Sequence, residues 1–170
     1  AIGETGLDFY RDTADPEDQR RAFASQIEIA AETGLPVVIH LRDRKGGDEA
    51  AAETFSMLDD AAGELTVVLH CFSAAHRVEQ AIERGWYCSF AGNVTYPANE
   101  DLREAAAKVP DELILVETDA PYLAPQSRRR QRNAPADVVE TASAVAGARG
   151  VSTERLDRIT TENSGRLFDW

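Results

Sequence analysis

Long apolar runs are absent from this chain. No stretch approaches the ~20 consecutive apolar residues that a membrane-crossing helix needs, so a membrane role is set aside. Cysteine is scarce. Cys71 and Cys88 both lie in or beside apolar segments, which points to two buried thiols in a cytoplasmic protein rather than a disulfide framework. Basic side chains are few: 18 Lys+Arg against 30 Asp+Glu leave a net charge of −12, a poor basis for coating nucleic acid non-specifically. No basic-then-apolar leader opens the sequence, so export is not indicated, and no low-complexity segment or linker divides it. One domain over residues 1–170 is therefore expected, with hydrophobic content of 43% and charged content of 28% typical of a globular protein.

What the chain does have is a regular alternation. Short β-branched runs at Pro36–His40, Leu65–His70 and Leu113–Thr118, with Ala1-Ile2-Gly3 before them, read as buried parallel strands, and Trp86–Phe90 reads as another strand. The segments between read as helices. Asp15-Pro16-Glu17 starts one that Gly34 stops; others are expected at 48–62, from Ser73 to Arg84, and over Glu100–Val109. Two more, near 136–148 and 152–168, close the chain after a proline- and arginine-rich loop at 120–135. Phe23, Ile27, Val78, Ile82, Trp86 and Phe168 are expected in the core, and His76 on the surface.

Alternating βα units with a repeat of roughly 30 residues make an α/β fold. The donors that follow favour a (β/α)8 barrel of the TIM type over an open sheet, because they come from nearly every strand rather than from one switch point. An intact barrel needs eight units and typically ~250 residues. Only five strands are countable, so an incomplete barrel with about five C-terminal βα units is expected, as part of a longer protein.

Glu4, His40, His70 and Asp119 each stand at or just past the end of a strand-like run. In a parallel α/β fold such positions converge on one rim, where two carboxylates and two imidazoles can hold one or two divalent ions. Mixed oxygen and nitrogen ligation suits Mg²⁺, Mn²⁺ or Zn²⁺. A lone histidine at a strand end is more often a hydrogen-bonded core residue; four donors at successive strand ends favour a metal site.

The string Gly3-Glu4-Thr5-Gly6-Leu7-Asp8 resembles a signature of the TatD family of metal-dependent deoxyribonucleases. Four further segments carry the same likeness, in order along the chain: Leu35–His40 with Arg42-Asp43, Leu69–Ser73, Glu117–Leu123, and Thr160–Asn163 with Arg166–Phe168. The resemblance implies a two-metal phosphodiesterase acting on DNA, single-stranded or at ends, in the manner of a 3'-5' exonuclease. Glu4 would bridge the ions, His40 and His70 would bind the second, and Asp119 would bind the first and orient or deprotonate the attacking water. Bound cations would supply the positive charge that the acidic composition lacks. The family also carries a His-x-His pair on its first strand, which this chain with its three histidines lacks, and Ala134 stands where the family usually has a glutamate. One ion held tightly at Glu4, His40 and His70, and a second bound weakly, is the expectation.

Other rim residues are weaker candidates. Arg42, Arg128, Arg132 and Asn133 could contact substrate phosphates, whereas Arg129 and Arg130 read as solvated. Ser73 would contact an anion or simply cap its helix, and Tyr122 would stack on a base or fill its loop. Glu117, two residues before Asp119, would hold an imidazole tautomer or pair with an interior base. Two unpaired sheet edges, at the first and last strands, would invite self-association. Two other readings stay open: hydrolysis of small esters or aminoacyl-RNA by the same chemistry, and a degenerate barrel serving as a non-catalytic binding module.

Overall fold

The structure, a computed structural model, describes every residue except Asp12, Ala62 and Trp170. Its residues group into two compact units, Ala1–Ser73 and Ala74–Trp170. Among the described residues no helix is long and apolar enough to cross a membrane.

The first unit is a β-α-β-α-β run: β1 (Ile2–Asp8), α1 (Pro16–Thr33), β2 (Val37–Arg42), α2 (Glu49–Asp59) and β3 (Val67–Leu69). β2 pairs in parallel with both β1 and β3. The expected start of α1 is observed, with the Asp15 carboxylate accepting from the Glu17 N–H and Pro16 in the first turn, where its missing N–H costs nothing. Gly34 ends the helix in the left-handed conformation, at φ 65. α2 is shorter than expected, and its expected end at Ala62 lies outside the described residues. Along β2, Val37, Ile39 and Leu41 are buried while Val38, His40 and Arg42 are only half-buried. That period of two puts one set into the core with Phe23, Ile27, Phe55 and Leu58, and leaves His40 and Arg42 together on the other face.

The second unit contains α3 (Val78–Glu83), β4 (Tyr87–Phe90), α4 (Glu100–Lys108), β5 (Ile114–Val116), α5 (Val138–Arg149) and α6 (Thr153–Phe168), with β4 and β5 parallel. Its core is Phe90, Val94, Val109, Ile114, Val145 and Leu156. α6 is fastened to β5 by Asn163, whose amide donates to the carbonyls of Asp111 at 2.7 Å and Ile114 at 2.8 Å. Arg149, with 8% of its side chain exposed, donates to the Ala106 and Val109 carbonyls and pairs with Asp111. No disulfide joins Cys71 and Cys88; Cys71 is half-buried, and burial pushes the Cys88 thiol up to about 12.

Three expectations need correction here. Phe168 is not core but 43% exposed; Leu167 takes the buried position, because the buried stripe of α6 runs Leu156, Thr160, Asn163, Leu167. Ile82 is half-buried while its neighbour Ala81 faces the core. The helix expected from Ser73 begins as a 3-10 turn at Ala75–Arg77 with Ala74 before it, and Ser73 caps nothing: its hydroxyl donates to the Leu41 carbonyl at 3.2 Å. Phe23, Ile27, Val78 and Trp86 are buried and His76 exposed, as expected.

Candidate metal centre

The site in the first unit is built on a backbone irregularity. Glu4 lies inside β1 rather than at its end. The pairing of β1 with β2 jumps from Gly3–Val38 to Thr5–Ile39, so Glu4 is an extra residue with no partner on β2, a bulge that redirects its side chain. Flanking glycines make that possible. A Cβ on Gly3 would lie 2.6 Å from the Val38 carbonyl oxygen, and one on Gly6 would lie 1.9 Å from that of His40. Both sit at φ near +145, where side chains are strained in any case. The Gly-Glu-Thr-Gly string is thus a way of pressing two parallel strands together around a displaced carboxylate.

The result is a cluster. One ligand atom each from Glu4, His40 and His70 lies within 4.8 Å of the others. Glu4 Oε1 is 2.8 Å from His40 Nδ1 and 3.6 Å from His70 Nε2, and the two imidazole rings are 6.3 Å apart between centroids. Half of the Glu4 side chain is exposed, while His40 and His70 are 30% and 12% exposed, so the oxygen is reachable and the nitrogens are partly walled in. Two imidazole nitrogens and a carboxylate oxygen facing a common point make a fitting set for a divalent cation such as Zn²⁺ or Mn²⁺. A cavity of about 490 Å³ beside the cluster is lined by Glu4, Asp8, Asp18, Gln19 and His40 among others.

Asp8 is the neighbour that a reading of strand ends misses. Its Oδ2 is 3.1 Å from His40 Nε2, the ring nitrogen turned away from Glu4. The contact follows from the parallel register, in which Gly6 faces His40 and Asp8 faces Arg42. Arg42 itself ends β2 with its guanidinium 4.0 Å from the centroid of the exposed Tyr10 ring.

The remaining candidates belong to the second unit. Asp119 follows β5 by three residues, at φ 55, and its carbonyl accepts from the Tyr122 N–H at 2.8 Å. Glu117 is half-buried, with its backbone N–H donating to the Phe90 carbonyl at 2.9 Å. Tyr122 is 62% exposed and Arg132 is exposed. Arg129, expected to be solvated, stacks on the Tyr96 ring, 3.5 Å from its centroid. Asn133 is only 4% exposed, and its side-chain amide donates to the carbonyls of Thr118 at 2.7 Å and Tyr122 at 2.6 Å. In this arrangement it staples the loop on either side of Asp119. Arg128 is also committed, to the buried Asp137 carboxylate and to Gln131. The other Asp137 oxygen accepts from the Ala134 N–H.

The family model of the TatD-related DNases matches residues 1–169. This chain belongs to that family. It is 40% identical over 170 residues to a protein of Escherichia coli K12 called the uncharacterized metal-dependent hydrolase YcfH, covering 99% of this chain and 62% of the relative. It is 38% identical over 174 residues to a Citrobacter koseri protein called the 3'-5' ssDNA/RNA exonuclease TatD, covering 99% and 65%. The crystal structure of the E. coli TatD homologue YjjV superposes at a TM-score of 0.82 with 27% identity, covering all of this chain and 64% of that one. The fold is accordingly α/β of the TIM-barrel type, and five of its strands lie in this chain. The chain spans about three fifths of the length of these TatD relatives.

Proposed function

We propose that this TatD-family chain forms part of a metal-dependent hydrolase that cleaves phosphodiester bonds at single-stranded nucleic-acid ends. The observation that carries the reading is the convergence of Glu4, His40 and His70 donor atoms within 4.8 Å of one another. A divalent cation held there neutralises phosphate charge and acidifies water, the two things that phosphodiester hydrolysis lacks at neutral pH. Glu4, His40 and His70 would hold the ion. The family resemblance of its Glu-Thr-Asp-Ala-Pro-Tyr-Leu segment makes Asp119 the carboxylate that would take the proton from the attacking water. Arg42, at the end of β2 two residues beyond His40, pairs with a phosphate oxygen, and exposed Tyr122 offers a ring for a base. Without a His-x-His pair in this chain, one ion is held tightly and a second weakly; two ions per chain surviving exhaustive dialysis contradict this. Two cysteines outside any disulfide suit the reducing cytoplasm. The edge of β1 not paired with β2 suits association with a further strand.

A second reading keeps the chemistry and changes the substrate to small esters or aminoacyl-RNA, favoured by the net charge of −12. Hydrolysis assays on single-stranded DNA, a nitrophenyl ester and a model phosphodiester separate the two. Asp119→Asn should lower any metal-dependent rate at least ~100-fold, the usual scale for loss of a general base. A rate that survives this change removes Asp119 from the mechanism. If no substrate is turned over and the variant behaves as the parent, a non-catalytic binding module is the better description.

A further inference from the structure

We propose that Asp8 is the positioning residue of this site: it takes the proton-bearing Nε2 of His40 and so leaves Nδ1 bare for the cation. The proposal rests on reading Glu4, His40 and His70 as a cation site. A neutral imidazole has one N–H and one lone pair, and only the nitrogen with the lone pair can bind a metal. His40 has a carboxylate at each end of the ring, Glu4 at 2.8 Å from Nδ1 and Asp8 at 3.1 Å from Nε2. Which tautomer prevails depends on which carboxylate is the better fixed acceptor.

Asp8 is the fixed one. Its Oδ1 accepts from the Tyr10 N–H at 3.0 Å and the Arg11 N–H at 2.9 Å, so the carboxylate plane is set by the turn that follows β1. Its own N–H donates to Gln19 Oε1 at 2.8 Å, and its carbonyl accepts from Gln19 Nε2 at 3.1 Å. Gln19 in turn donates to the Ala14 carbonyl, tying the end of β1 to the entry of α1. The Asp8 side chain is 19% exposed against 50% for Glu4. A half-buried carboxylate with one oxygen already committed is built to accept a hydrogen bond, and the exposed Glu4 is left to meet the ion. Carboxylate partners of metal-binding histidines act in this way, and losing one weakens binding ~10–100-fold.

Asp8→Asn tests this without dismantling the turn, because the amide oxygen can still accept from Tyr10 and Arg11. Its NH2 group would face His40 Nε2 and donate to it, moving the ring proton onto Nδ1. Two readouts follow. Nitrogen-15 NMR of the metal-free chain at mildly alkaline pH, with His40 assigned through a His40→Gln variant, should show Nε2–H in the parent and Nδ1–H in Asp8→Asn. Zinc and manganese titrations should show affinity reduced ~10–100-fold with an unchanged unfolding midpoint. An Nδ1–H tautomer in the parent, or a variant with undiminished affinity, overturns the proposal. If the parent binds neither metal, the cation site itself fails, and the tautomer measurement still decides what Asp8 does to His40.

Discussion

The end of β1–β2 in the first unit and the 118–137 loop in the second are both rich in charged and polar side chains, and they spend them differently. In the first, the imidazoles of His40 and His70 and the Glu4 carboxylate converge, one ligand atom of each lying within 4.8 Å of the others. In the second, the polar groups are largely absorbed by the protein: Asn133 by two carbonyls, Arg128 by Asp137, Arg129 by Tyr96. Ligand atoms converging on a shared point mark a place for a cation. Donors already satisfied mark a scaffold. Residue type alone does not separate the two; the partner of each polar atom does.

The comparison breaks most sharply at Gly6. A methyl group there meets the His40 carbonyl oxygen at 1.9 Å, so Gly6→Ala must push β1 away from β2. A loss of about 3–5 kcal/mol is expected, at the upper end for a single substitution, since steric conflict and an unfavourable φ add. Urea unfolding measures it. A variant as stable as the parent would show that β1 is free to shift, and the metal cluster would then owe little to this glycine.

Removing a donor should cost binding rather than fold. His70→Ala is expected to weaken Zn²⁺ or Mn²⁺ affinity by at least ~100-fold, more than the loss of a supporting carboxylate. Arg132→Ala, on an exposed residue of the other loop, should leave affinity unchanged. Competition with a chromophoric chelator reads both, and equal effects would erase the distinction between cluster and scaffold. Asn133→Ala should show the reverse pattern. Two buried hydrogen bonds vanish and two carbonyls lose a donor, which costs about 2 kcal/mol of stability. If Asn133 instead contacts substrate, stability holds and KM alone rises.

The fold was readable because parallel strands and amphipathic helices announce themselves by period and by caps. Asp15-Pro16 and Gly34 bracket α1 as their chemistry requires. The site was readable only in part. His40 and His70 follow from strand position, whereas the placing of Glu4 depends on a bulge that the alternation of apolar residues does not reveal. Asp8 lies in the same string as Glu4, but its contact with His40 depends on the register between β1 and β2, a non-local quantity. The burial of Asn133 was hidden for a related reason: an asparagine among arginines looks exposed until the fold of its loop is known. Phe168 misled in a simpler way, since a helical face shifted by one residue exchanges it with Leu167.

The smallest effect concerns the scaffold's own charges. Asp111 accepts from Arg149 and Arg155, and these hydrogen bonds hold its carboxyl below the ordinary 3.8. A carboxyl lowered on folding contributes stability that is full above its unfolded value and disappears as pH falls through the folded one. The pair with Arg149 is asymmetric, 8% exposed on the arginine and 43% on Asp111, so screening limits the gain to about 1 kcal/mol. Asp111→Asn should therefore lower the unfolding free energy slightly at neutral pH and flatten its fall below pH ~4, where a free aspartate carboxyl protonates. The metal cluster lies in the other unit and should not notice: zinc affinity at neutral pH should match the parent. A large loss of metal binding in Asp111→Asn would mean that the Asp111 clamp on Arg149 and Arg155 does more than hold α5 and α6, and the division between a scaffold with satisfied charges and a site of converging ligand atoms would have to be redrawn.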